Sequence, residues 1–189
     1  MRNGFRIAVN TSALILCGCL AFGCAADKAE KENLTAGYSA LDSRQYDQAI
    51  QLADKQIQQN KDDEGTAEAL YLKGRAYEQR AKPQGQQAGS DLMLAAQCYQ
   101  QALLHSPAPK LEGYIHASLG NVDYWRDDYS GAVRQFSAAY DLLDGSDLKS
   151  FVLYRAGLSQ QREGMFDLAD QTFAAVQSRF PNTDAARRA

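Results

Sequence analysis

The residues able to do chemistry are few, and their spacing suits little of it. Three of the four cysteines, Cys17, Cys19 and Cys24, lie in the first 24 residues, which leaves Cys98 alone in the body with no intrachain disulfide partner. Cys98 stands one residue before Tyr99 on the inward side of a helical pattern and reads as a buried thiol. His105 precedes a Ser-Pro pair and His116 follows in the next helical stretch, a set too sparse for a metal site or a catalytic couple. Asp62, Asp63 and Glu64 read as favourable charge at a helix N-terminus. Asp141, Asp144 and Asp147 flank Gly145 without the spacing or closing Glu of a calcium loop, and read as a turn with caps. No glycine-rich phosphate loop, nucleophile elbow or paired catalytic carboxylate is present. These residues predict no enzyme, no cofactor, no metal and no small-molecule substrate.

Composition narrows the field further. Hydrophobic residues make up 45% of the 189 and charged residues 23%, a globular balance that excludes a wholly disordered chain. The formal charge is −3, and without residues 1–26, whose charges are Arg2 and Arg6, it is −5. An acidic body lacks the clustered Lys and Arg that neutralise phosphates, so no nucleic-acid partner is expected.

Residues 1–24 have their own logic. Arg2 and Arg6 form a short positive region, and Ala13 to Phe22 form a ten-residue apolar stretch. A bilayer-spanning helix needs about 20 apolar residues, so the segment reads as an export signal. Polarity begins abruptly after Cys24, with Ala25-Ala26-Asp27-Lys28-Ala29-Glu30-Lys31. Here the sequence resembles a bacterial lipoprotein signal, in which a small-residue box precedes a cysteine that receives lipid and becomes the mature N-terminus. Ala21-Phe22-Gly23-Cys24 supplies the favoured box, Leu16-Cys17-Gly18-Cys19 an alternative, and cleavage without lipid a third course. The resemblance implies a chain anchored by two or more acyl chains, enough for stable attachment. With Ala25, rather than Asp, after Cys24, the resemblance further implies an outer membrane, with the protein facing the periplasm. The expected organisation is a signal over 1–24, a polar tether over 25–32 and a helical repeat domain over 33–189.

The remainder repeats. Four segments align on a glycine followed by an alanine: Gly37 and Ala49, Gly74 and Ala95, Gly120 and Ala132, Gly157 and Ala169. The gap from glycine to alanine is 12 in three units and 21 in the second, and each alanine is 25 residues from the next glycine. The period is therefore 37 with one nine-residue insertion. Each unit reads as two helices. In the second helix, apolar residues recur four and seven places after the alanine (Tyr99 and Ala102, Phe136 and Ala139, Phe173 and Val176), the spacing of one buried face. Gln56 breaks this stripe in the first unit. Small Gly and Ala allow close helix approach, and Pro107 and Pro181 close second helices. The Gly- and Gln-rich insertion, about residues 81–90, is expected to be an exposed loop ending with Ser90 or Asp91 as an N-cap.

These units resemble the tetratricopeptide repeat (TPR) family. Gln45-Tyr46-Asp47-Gln48-Ala49, Asp128-Tyr129-Ser130-Gly131-Ala132 and Met165-Phe166-Asp167-Leu168-Ala169 carry the resemblance most clearly. The ending Phe173 to Thr183 is similar to repeats of bacterial envelope-biogenesis lipoproteins and of the Tol-Pal-associated coordinator. The resemblance implies an all-α, right-handed TPR-like solenoid of about four helix pairs whose concave face, built from first helices, binds a protein or extended peptide. Carried onto this chain, the family's groove positions include Tyr38, Tyr71, Arg75, Asn121, Tyr124, Trp125, Tyr154 and Arg162. Tyr and Trp join an apolar face to a polar edge, which suits peptide recognition. The same rings could instead pack between repeats. The resulting expectation is a non-catalytic binding adaptor held in the envelope by lipid. The alternative is a structural subunit or pilotin-like assembly factor of an outer-membrane complex.

Cys24→Ser is expected to release the chain from the membrane fraction and abolish fatty-acid labelling. Labelling that survives this change and is lost in Cys19→Ser would move the lipid to Cys19.

Overall fold

The spacing of small residues decides how closely the helices of this chain can lie. The computed structural model describes residues 33–59, 63–81 and 88–189, and every regular element among them is an α-helix. Cys19, Cys24, the signal and the tether lie outside the described residues. Helix α1 covers 33–42, followed by α2 (Tyr46–Gln59), α3 (Asp63–Ala81), α4 (Ala88–Leu104) and α5 (Pro109–Trp125). Then come α6 (Tyr129–Leu142), α7 (Ser146–Arg162), α8 (Phe166–Arg179) and the short α9 (Asp184–Arg188). From α2 to α8 each helix packs on the next, and α9 returns to pack on α7 and α8. The chain is all-α, built from consecutively packed helices.

The alanine stripe is the inner face. Ala49, Ala95, Ala132 and Ala169 are buried, as are Gln56, Ala102, Ala139 and Val176 seven places later. Between these rows the glycines receive rings. A Cβ on Gly120 would lie 2.7 Å from Phe136, one on Gly157 2.6 Å from Phe173, and one on Gly74 2.5 Å from Tyr99. The first unit has Ala53 where the others have a ring, and there Leu72 of α3 fills the space, 2.5 Å from a Cβ on Gly37. Buried Gln56 is matched by Asn33 on α1, which donates to its Oε1 at 3.4 Å and to Gln59 at 3.0 Å. Burial also pushes the Cys98 thiol up to about 11, despite Lys73 nearby, so it is held as an inert thiol.

Three turns share one construction. Arg44, Asp127 and Gly164, each five places before the unit's alanine, have φ of 60°, 62° and 85°. The following amides of Gln45, Asp128 and Met165 reach back to the carbonyls of Ala40, Asp123 and Gln160 at 2.8, 2.9 and 2.9 Å. This is the reverse bond of a Schellman cap, with the left-handed residue ending one helix immediately before the next begins. Asp128 then accepts from the Gly131 amide at 2.8 Å and caps α6.

The insertion departs from the sequence reading. Ala81 completes α3, and Ala88, Gly89 and Ser90 already belong to α4. Asp91 is therefore not an N-cap. It is buried in the first turn of α4 and takes a bidentate pair from Arg80, Nε at 2.9 Å and Nη2 at 2.6 Å. Arg80 Nη1 also donates to Asp47 at 2.5 Å, joining α2, α3 and α4. Two carboxylates on one planar fork give lengthened helices a fixed end, which a solvated loop would not need. Residues 82–87 lie outside the described residues.

Gly120→Val is expected to cost about 1–3 kcal/mol, because the fully buried Phe136 ring occupies the space a branched side chain needs. Combining it with Phe136→Leu should cost less than the two single losses together, since both act on one contact. Chemical denaturation of the four proteins checks this, and strictly additive losses would contradict the contact.

Candidate functional site

The odd-numbered helices carry the polar and aromatic side chains singled out above, and the structure sorts them into two groups. The first is a closed network. Tyr71 on α3 is buried, its ring 5.8 Å from that of Tyr99, and its hydroxyl accepts from Arg75 Nη1 at 2.9 Å. Tyr99 donates its hydroxyl proton to the buried Glu78 at 2.5 Å, and Arg75 Nε lies 3.7 Å from the same carboxylate oxygen. Burial raises the Tyr99 hydroxyl well above its ordinary range, and the Glu78 charge adds to this. Burial works against the Arg75 charge, but Tyr71, Tyr99 and Glu78 together hold it above its ordinary value. Tyr38 on α1 belongs to the same neighbourhood. Burial first, then Glu68, pushes its hydroxyl up. Tyr71 is thus a packing residue, corrected from the groove position assigned to it, because its ring is committed to Tyr99.

The second group lines an open groove. A cavity of about 930 Å³ lies between the end of α5, one face of α7 and the C-terminal segment with α9. Asn121 and Trp125 come from α5, and Phe151, Tyr154, Arg155 and Leu158 from α7. Asn182, Asp184, Ala185, Arg187 and Arg188 close it from the C-terminal segment. Trp125 is 37% exposed and Phe151 44% exposed, so both offer apolar surface at the opening. Tyr154 is half-buried, with its ring 5.7 Å from Phe173, the ring that packs under Gly157. The ring seated against Gly157 therefore also supports a groove side chain.

Arg155 borders the groove and is held by α5 and α6. Its Nε donates to Asn121 Oδ1 at 3.1 Å, and its guanidinium lies 4.4 Å from the Tyr124 ring centre and 5.6 Å from that of Phe136. Burial lowers its pKa below the usual arginine value, with Tyr124, Tyr154 and Glu78 acting in the opposite sense.

Of the sequence-derived groove residues, Asn121, Trp125 and Tyr154 are brought together. Tyr124 stands behind them, stacked by Arg155 and edge-on to Tyr129 at 5.5 Å. Arg162 is exposed and lies 5.8 Å from the Tyr129 ring, away from the cavity wall. Tyr38 and Arg75 sit in the first group. Arg155 and Phe151 were missed, although Phe151, Tyr154, Arg155 and Leu158 follow the i, i+3, i+4, i+7 spacing of one helix face. The family positions lie one, four and five places after each glycine and three before it, and Phe151 and Arg155, six and two before Gly157, fall on neither set.

The remaining reactive groups are dispersed. His105 pairs with Asp63 at 3.1 Å and His116 with Gln135 at 2.7 Å. Among the described residues no group of three or more His, Cys, Asp or Glu could hold a metal ion, and no helix is long and apolar enough to cross a membrane. Comparison with protein-family models and with curated proteins gives no match.

Tyr99→Phe removes one donor from the buried Glu78 carboxylate and keeps the ring against Gly74. A stability loss of about 1–3 kcal/mol is expected, as for a buried charged acceptor that loses a partner. An unchanged denaturation midpoint would show that the network contributes nothing to the fold.

Proposed function

We propose that this chain is a lipid-anchored envelope protein that acts as a non-catalytic binding adaptor, holding an extended peptide or a segment of a partner protein. The observation that carries the reading is the groove between α5, α7 and α9, with Trp125, Phe151 and Tyr154 beside Asn121 and Arg155. Exposed rings next to fixed polar groups are the composition of a recognition surface. The export and lipidation signature ending at Cys24 supports the location, and Ala25 the outer membrane facing the periplasm.

The proposal includes a TPR-like solenoid. The equivalent contacts of Gly74, Gly120 and Gly157 with the rings of Tyr99, Phe136 and Phe173 support it, as do the three identical turns. In such an array first helices line one side, which is where α5 and α7 supply the groove.

One observation favours a second reading, a structural subunit or assembly factor with a permanent interface. Met165, Phe166 and Leu168 are 48%, 62% and 45% exposed at the start of α8, an apolar cluster on the edge of the stack. A permanent contact would bury these side chains.

The groove reading is tested by panning displayed random peptides, with blocked C-termini, against the full chain. Trp125→Ala is expected to weaken the enriched peptides by about 2 kcal/mol or more while the melting midpoint stays nearly unchanged. A large melting loss with binding reduced only through unfolding would assign the indole to packing and end the groove reading.

A further inference from the structure

The cation in the groove wall is held without a counter-charge. Arg155 Nε is satisfied by Asn121, while Nη2 is buried and has no hydrogen-bond partner. Among the described residues no carboxylate lies within salt-bridge distance of this guanidinium, and Glu78, which acts on it from further off, is engaged by Tyr99 and Arg75. Arg80 offers the contrast, with its guanidinium meeting two carboxylates. Arg155 is instead placed by neutral groups: the Asn121 amide fixes one edge and the Tyr124 and Phe136 rings fix its plane. A guanidinium fixed in this way has lost part of its hydration and has not regained a charge partner.

Charge along the groove agrees. Arg155, Arg187 and Arg188 face it with Asp147 and Asp184, and Asp184 is already paired with Arg187. The wall is locally basic in a chain whose overall charge is −3. Beside the cation stand Trp125 and Tyr154, so an acidic group arriving here would bring apolar neighbours onto rings. Resting on the groove being a peptide site, we propose that Arg155 anchors a side-chain carboxylate of the bound peptide, and that the preferred ligand is an acidic residue flanked by apolar ones. Binding gives the guanidinium the charge partner it lacks at little ordering cost, because Asn121 and the two rings have already fixed it.

The same displayed peptides, panned against the full chain, test this. Enriched sequences are expected to share an Asp or Glu beside aromatic or aliphatic residues. Replacing that acid with its amide in a synthetic, C-terminally amidated peptide should weaken binding to the unaltered protein about tenfold or more. Arg155→Gln should erase the difference between acid and amide peptides, and Arg155→Lys should restore part of it, since charge returns without the planar fork. The acid-to-amide comparison on unaltered protein stands even if the arginine variants fold poorly. Enriched peptides with no acid dependence would overturn this inference and leave the groove reading in place. Acid dependence that persists in a natively melting Arg155→Gln protein would also overturn it. No enriched peptide at all would overturn the groove reading and this inference together.

Discussion

The fold depends on rings seated where a side chain is missing. Phe136, Phe173 and Tyr99 each lie against a glycine of the partner helix, at distances no Cβ tolerates. Glycine in a helix interior costs about 1 kcal/mol relative to alanine, so its recurrence once per unit must be offset by what it admits. What it admits is an aromatic ring packed on bare backbone, with Phe136 and Tyr99 wholly buried. The helices of a pair can then lie close together, and the alanine of each unit is buried. The substitution of Leu72 for the absent ring under Gly37 shows the same need met from a neighbouring helix.

Much of this was legible in the sequence because the constraint acts at fixed spacing. The glycine–alanine register and the apolar stripe gave the helix pairs, and every alanine of the register is buried. Other features left weaker marks. Arg44 and Asp127 adopt the left-handed conformation that Gly164 adopts in the fourth unit, and an Arg there gives no hint of it. The insertion looked like a loop because Gly and Gln are poor core residues. Yet Arg80 and Asp91, one on each side of it, form an ion pair, and helix geometry extends to Ala81 and from Ala88. Gln56 looked like a defect and is a buried amide matched by Asn33.

The groove was half legible for a related reason. Counting from each glycine, forward and one turn back, finds residues on one side of the first helices, which locates Asn121, Trp125 and Tyr154. It cannot tell an exposed ring from a committed one. Tyr71 and Tyr154 occupy equivalent positions, but Tyr71 is buried against Tyr99, which Glu78 and Arg75 lock in place. Tyr154 rests on Phe173 and still borders the cavity. The difference lies in the buried acid of α3, Glu78, which recruits hydroxyls and a guanidinium inward. On α7 the corresponding demand is absent, and Arg155 is left facing the groove with an amide for company.

The groove lies in the C-terminal half of the chain, and the competing surface is the apolar edge at Met165, Phe166 and Leu168. The most direct measurement places a photo-crosslinking residue at Trp125 or at Phe166 in the full chain within intact cells. The account predicts a discrete adduct from Trp125 that is suppressed by groove substitutions such as Arg155→Gln, and little from Phe166. A discrete adduct from Phe166 alone, with Trp125 silent, would contradict it and assign the binding surface to the edge of α8.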